Sequence, residues 1–253
     1  MASFAANFNP FAPLKKKKIR TPWGNLTPKV DLFPILYLII IYGLVYILPY
    51  GRYIVGMSWF DWFRKEDGPL EYAQFLFYLF GSICALIAFF KKRKKSTTLN
   101  LTLWILIAIL CFFVAGEEIS WGERITGIGS QALRDINSQG ESNIHNMEFF
   151  HHILLDPSFE ISCVLFGWLG WKLWPKLDSL PAKRFSLYFL SVALFYFYFD
   201  ISYSSTIKQI RNDQEIFELL MSLGLLLHCW TNAFPLKTPK KSDKKPKKKI
   251  LIN

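Results

Sequence analysis

Six stretches of the chain are almost free of charge and of regular polar alternation: 32–50, 72–90, 99–115, 159–174, 185–203 and 216–234, with Glu160, Lys172, Asp200 and Glu218 as the exceptions. A helix rises about 1.5 Å per residue and a bilayer core is about 30 Å thick, so runs of this length are read as crossings. Continuous apolar runs predict helices rather than strands, because a half-buried strand would alternate. Lys172 can reach the interface along its own aliphatic stem. Pro34 and Pro49 fall at the two ends of the first run, where proline suits a helix terminus. The expected fold is all-α: a polytopic membrane protein with a six-transmembrane-helix bundle and a long outer loop, 116–158, containing short interfacial helices. Residues 1–31 are expected to form a basic cytoplasmic tail, 32–234 the six-helix domain, and 235–253 a disordered Lys-rich tail. The first run is too long for a signal peptide and lacks a small-residue cleavage site, so it reads as a retained span.

Charge sharpens this picture. The chain has a formal charge of +11, which alone would suggest nucleic-acid binding. Its apolar share of 52% points instead to a membrane, and no nucleic-acid partner is expected. With six crossings, the segments before span one, between two and three, between four and five, and after span six share one side. That side sums to +20 and the opposite side to −9. The positive-inside rule then puts both termini in the cytoplasm and the protein in the cell (inner) membrane. The lysines of 237–249 are expected to anchor topology and to contact anionic lipid. The four cysteines each sit in a different span without zinc-ligand spacing, which reads as packing. Unequal loops argue against an inverted-repeat transporter.

The acidic outer side carries the candidate chemistry. Past span three, GEEISWGER (116–124) places Glu117 and Glu118 at a helix C-terminus, where the dipole disfavours them unless a positive group such as Arg124 or a cation is near. The polar segment NSQGESNIHN (137–146) follows, with Asn137, Gln139, Glu141, Asn143 and Asn146. If a helix begins near Ser142 or Asn143, then His145, Glu148, His152 and Asp156 fall within an arc of about 80°. Such a nitrogen and oxygen face, completed by Glu117 or Glu118, suits Zn²⁺, Fe²⁺ or Mn²⁺. The competing reading is a solvated polar face. Glu66, Asp67 and Glu71 precede span two, where first-turn acids are favoured by the dipole alone; the same holds for Glu215 and Glu218 at span six. Asp200 lies near the outer end of span five, close enough in depth to join the cluster. His228 lies deeper and reads as a packing residue.

Three blocks, EDGPLEY (66–72), GEEISWGER (116–124) and NSQGESNIHN (137–146), resemble a family of uncharacterised bacterial multi-pass membrane proteins with EDG-x-x-E, GEEISWG-x-R and N-x-Q-G-E-x-N-x-H-N motifs. Glu123 stands where that family has Gln. The resemblance implies grouping and topology, and no activity. A looser likeness is to membrane-embedded metal-dependent lipid hydrolases such as alkaline ceramidases, without residue-by-residue alignment. The sharper expectation is a membrane-embedded, metal-dependent hydrolase or transferase acting on a lipid or lipid-linked substrate, with Glu117, Glu118 and Asp200 catalytic and His145, Glu148 and His152 as metal ligands. The alternative is a non-catalytic component: a transporter, a lipid-binding accessory or an assembly subunit. A transporter would need Asp200 and His228 to line a polar path.

Overall fold

A computed structural model describes residues 19–21, 24–26, 30–42, 62–63, 68–137, 140, 142–144, 156–202 and 214–235. The fold is helical apart from one small hairpin, β1 (Ile19–Thr21) paired antiparallel with β2 (Gly24–Leu26), Ile19 opposite Leu26. The hairpin lies within the expected N-terminal basic tail; the β-branched Ile19 and Thr21 favour the extended backbone.

Helix α1 (Phe33–Tyr42) covers the first half of the expected span one; residues 43–50 lie outside the described residues. Helix α2 (Pro69–Lys92) begins with proline at its first position, carries Glu71 in its first turn and ends on Lys91 and Lys92, a charge order that complements the helix dipole. After a short turn, the Thr97 side chain accepts from Asn100 N and caps α3 (Thr98–Glu118). Two four-residue helices, α4 (Glu123–Thr126) and α5 (Gln131–Arg134), lie in the expected outer loop.

The fourth expected span is a broken helix: α6 (Asp156–Val164), a π turn at Leu165–Leu169, and α7 (Gly170–Leu173). A π turn leaves a carbonyl displaced from the regular ladder. Here Gly167 O accepts from the Trp171 indole at 2.9 Å, and the same indole reaches Ser186 Oγ at 3.0 Å. Helices α8 (Ser186–Ser202) and α9 (Gln214–Ala233) complete the described chain. Three of these helices, α2, α3 and α9, are long and apolar enough to cross a membrane.

Helix α9 packs along α2, and α3 covers another side of α2. Bonds at both ends show that α2 and α9 run in the same direction. At one end Gln74 Nε2 donates to Glu215 Oε2 at 2.7 Å. At the other, Lys91 Nζ donates to Ala233 O and Lys92 Nζ to Asn232 Oδ1, both at 2.6 Å. Without a hydrophobic drive between helices in lipid, close approach depends on small residues. The buried stripe Gly81, Ser82, Cys84, Ala85 and Ala88 on α2 meets that need, and Ser82 Oγ donates to Ala108 O of α3 at 2.8 Å. All four cysteines are free and buried. Outward-facing Leu76, Phe80, Ile83, Leu106, Ile109 and Phe112 are exposed, a surface that fits contact with a lipid bilayer.

A polar knot closes the end of the bundle where α2 stops and α3 starts. Asp178 Oδ1 accepts from Asn100 Nδ2 at 2.6 Å and Trp104 Nε1 at 3.2 Å, while its Oδ2 pairs with Lys92. Burial alone would raise this carboxyl, but the bonds from Asn100, Lys92 and Trp104 outweigh it and hold Asp178 below the ordinary range. The next residue, Ser179, donates its N–H to Asn100 Oδ1 at 3.0 Å, and its carbonyl lies 2.9 Å from His228 Nε2. The His228 ring stacks on Trp104, centroids 5.3 Å apart and 8° from parallel.

Close packing makes one substitution costly and a neighbouring one cheap. A Cβ on Gly224 of α9 would come within 2.7 Å of Tyr188 Cβ, whereas one on Gly81 would meet nothing nearer than 3.8 Å. Gly224→Ala is therefore expected to destabilise the bundle by about 1–3 kcal/mol through overpacking. Gly81→Ala should be neutral or stabilising by up to about 1 kcal/mol, from helix propensity. Thermal unfolding in detergent of the two variants, compared with the parent, measures the difference; equal midpoints would contradict this packing.

Candidate functional site

Helix α3 runs through both glutamates of the GEEISWGER block rather than stopping at Ala115. Consecutive helical residues point about 100° apart, so the two adjacent acids meet different neighbours. Glu117 is 4% exposed and turns toward the loop: Trp121 Nε1 donates to its Oε1 at 2.5 Å and Ile144 N to its Oε2 at 2.6 Å. Glu118 is half-buried and lies within electrostatic reach of Tyr78 and Glu215. One acid orders the loop; the other faces the bundle.

The chain leaves α3 through three successive residues in the left-handed region, Ser120 (φ 46°), Trp121 (φ 54°) and Gly122 (φ 85°). For a non-glycine residue this costs roughly 1–2 kcal/mol. Local contacts offset that cost. Ser120 is fully buried and its Oγ accepts from Asn143 Nδ2 at 3.0 Å. The Trp121 ring lies against Gly116, where a Cβ would come within 2.8 Å of it, and meets Phe113 edge-on at 5.6 Å.

Glu123 continues the same design. Its Oε1 pairs with Arg134 and its Oε2 accepts from Ser142 N at 2.6 Å. Ser142 Oγ in turn accepts from Ser130 N at 2.6 Å. Asn137 Nδ2 reaches both Asn143 O at 2.9 Å and Asn143 Oδ1 at 2.7 Å. Two carboxylates, Glu117 and Glu123, thus hold the N–H groups of residues 144 and 142 and strap this segment to the end of α3. His145 follows it immediately in sequence.

A second cluster lies inside the bundle at the same end. Glu71, Gln74 and Tyr78 recur at i, i+3 and i+7 on one face of α2 and are exposed by only 6%, 0% and 2%. Gln74 bonds Glu215 of α9, and Tyr196 of α8 donates its hydroxyl to Glu218 of α9. Glu71, Glu118 and Glu218 are all within electrostatic reach of Glu215. Four helices thus bring four glutamates, one glutamine and two tyrosines together at this end; Glu71, Gln74, Tyr78 and Tyr196 are buried and the other three glutamates half-buried, and we call this polar cluster the chamber. Ionisable groups inside a membrane bundle are costly and mark functional sites by default.

The expected site residues divide accordingly. Glu71 and Glu118 meet in the chamber; Glu117, Asn137 and Asn143 belong to the loop strap. Asp200 lies on α8 and Arg124 on α4, with their side chains outside the described residues. Glu66, Asp67, Gln139, Glu141, His145, Asn146, Glu148 and His152 also lie outside them. Among the described residues no three His, Cys, Asp or Glu side chains are gathered closely enough to hold a metal ion. His228 is 1% exposed and held between Trp104, Phe185 and Ser179, so it does not line a polar path.

Gln74, Tyr78 and Tyr196 were missed because uncharged polar residues do not interrupt an apolar run. Glu215 and Glu218 were read as dipole acids. The signal available was spacing: Glu71–Gln74–Tyr78 and Glu215–Glu218 each share one helical face. Compared with protein families, curated proteins and solved structures, the chain matches none.

The strap has a pH signature. Hydrogen bonding by Ser142, together with the Arg134 pair, holds the Glu123 carboxyl below its ordinary value of 4.5. A carboxyl lowered by folding contributes stability that is fully present above that ordinary value and lost as pH falls through the lowered one. Limited proteolysis between residues 123 and 142 should therefore accelerate below pH 4.5 in the parent protein. Glu123→Gln should be cleaved faster at neutral pH and show a weaker acid dependence. Identical pH profiles for the two proteins would remove Glu123 from this role.

Proposed function

We propose that this chain is a six-span membrane protein of the cell membrane, with both termini cytoplasmic, that acts on a lipid or lipid-linked substrate at its outer interface. The observation that carries the reading is the buried Glu71–Gln74–Tyr78 face of α2, set against Glu215 and Glu218 of α9 at the end of the bundle where α3 finishes. A largely buried glutamate beside amide and phenol groups is the kind of side chain that general acid–base catalysis employs. Glu118 and Glu215 are the groups we assign to that exchange, with Asp200 as a further base. Glu117 serves as a positioning residue. If a divalent ion (Zn²⁺, Fe²⁺ or Mn²⁺) takes part, His145, Glu148 and His152 would hold it, and it would polarise an ester, amide or phosphoryl bond.

The six-span arrangement adds α1, the α6–α7 stretch and α8 to the three long helices. It places the Asp178 knot on the cytoplasmic side, in keeping with the basic residues there, and the lysines of 237–249 against the anionic inner leaflet. Single-cysteine labelling on spheroplasts checks the orientation. Ser138→Cys should react with an impermeant maleimide from outside. Ala6→Cys and Ser242→Cys should react only after permeabilisation, and outside labelling of either would reverse or break the topology.

Activity is tested by reconstituting the protein with bacterial lipid extract and following lipid species by mass spectrometry, with and without added Zn²⁺, Fe²⁺ or Mn²⁺. The parent protein should convert at least one lipid class. Glu118→Gln and Glu215→Gln should each reduce the rate by about 10²–10⁴-fold, the usual contribution of a positioned acid or base. No conversion by the parent under any metal condition would defeat the enzymatic reading in favour of a non-catalytic membrane component.

A further inference from the structure

We infer that the outer chamber binds a primary ammonium group, as carried by an aminolipid headgroup. This rests on the reading of the chamber as the site and names the chemistry of its ligand. Gln74 is fully buried, and its amide lies in the cluster because Nε2 donates to Glu215 Oε2 at 2.7 Å. The other end of that amide, Oε1, is buried and has no hydrogen-bond partner. Buried acceptors are nearly always paired, so an orphaned one beside a ligand chamber marks the place of a missing donor.

The surroundings select the donor. Glu71, Glu118 and Glu218 lie within electrostatic reach of Glu215, and carboxyl groups gathered in this way favour an added positive charge. Glu71, Glu118 and Glu218 have partners of their own, so the open acceptor in the argument is Gln74 Oε1. An ammonium group supplies positive charge and three donors, which suits a cluster of carboxyl groups and the unpartnered Gln74 Oε1. A metal ion needs its ligands gathered at about 2.0–2.6 Å, and no three described acidic, histidine or cysteine side chains come together in that way. An ammonium bridges acceptors at hydrogen-bond length instead and tolerates their wider spacing. The depth also fits: Glu71 and Glu215 lie in the first turns of α2 and α9, and Glu118 is the last residue of α3. Lipid headgroups sit at the level of such span ends.

Native mass spectrometry of the purified full chain tests this with three lipids of matched acyl chains. Phosphatidylethanolamine carries a primary ammonium; phosphatidylcholine is equally zwitterionic, but its quaternary ammonium has no N–H donor; phosphatidylglycerol has no ammonium at all. Retention of phosphatidylethanolamine at least tenfold above both others is expected, falling to their level in Gln74→Leu. Equal retention of all three by the parent protein overturns the proposal without reference to any variant. So does full retention of the preference in folded Gln74→Leu. Titration with free ethanolamine separates the sources: displacement at millimolar concentration or above supports the headgroup, whereas tighter binding of the free amine overturns the lipid assignment. Selective retention without lipid conversion in the reconstituted system would leave this inference standing and defeat the enzymatic reading; conversion without selectivity would do the reverse.

Discussion

The arrangement depends first on one carboxylate. Asp178 sits in the link before α8 and draws together Lys92 from the end of α2 with Asn100 and Trp104 from the start of α3. Its neighbour Ser179 extends the connection to His228 of α9. Asp178 is half exposed, but its partners come from the adjoining ends of two helices, so the knot ties α2 and α3 to this link. Register set at one end is carried to the other by rigid helix. Lys92 and Tyr78 are separated by about 21 Å at 1.5 Å per residue, and over that length the small-residue stripe of α2 keeps α9 in close contact. The meeting of Gln74 with Glu215 in the chamber is the far consequence of where Asp178 holds Lys92.

The outer end solves a different problem. A loop returning to the membrane surface must satisfy its own backbone without a sheet or a long helix. Glu117 and Glu123 do this as acceptors for the N–H groups of 144 and 142, and the left-handed turn at Ser120–Gly122 is what brings those acceptors into line. Adjacent glutamates that looked equivalent consequently differ in kind. Glu117 has each oxygen committed to an N–H donor, and its loss would leave a buried amide at a cost of about 1–3 kcal/mol. Glu118 faces the chamber.

Span positions were legible because charge ends an apolar run. The expected 72–90, 99–115 and 216–234 fall within three residues of α2, α3 and α9. The largest discrepancy, at the end of α3, has a physical cause: acids disfavoured by the dipole end the apolar pattern but not the helix, since N–H donors from the loop compensate Glu117. The break in the fourth span was not legible, because a π turn depends on Leu190 packing against Gly167 and on Trp171 taking up its carbonyl. Nor was the left-handed turn, since serine and tryptophan carry no preference for that conformation.

The chamber was legible only in part, and the reason bears on how such sites are found. Charge counting finds Glu71 and Glu118 but treats first-turn acids as capping, an explanation sufficient for one helix considered alone. It ceases to be sufficient when α2 and α9 run parallel, because their N-terminal turns then meet and their acids face one another. Placing Glu71, Glu118 and Glu218 within electrostatic reach of Glu215 opposes folding unless protons, cations or donors are supplied. Capping stabilises each helix by a few tenths to about 1 kcal/mol, whereas a buried ionisable group costs several times that. Dipole stabilisation therefore cannot account for the cluster. A donor-rich cationic group would offset that crowding and supply the partner that Gln74 Oε1 lacks.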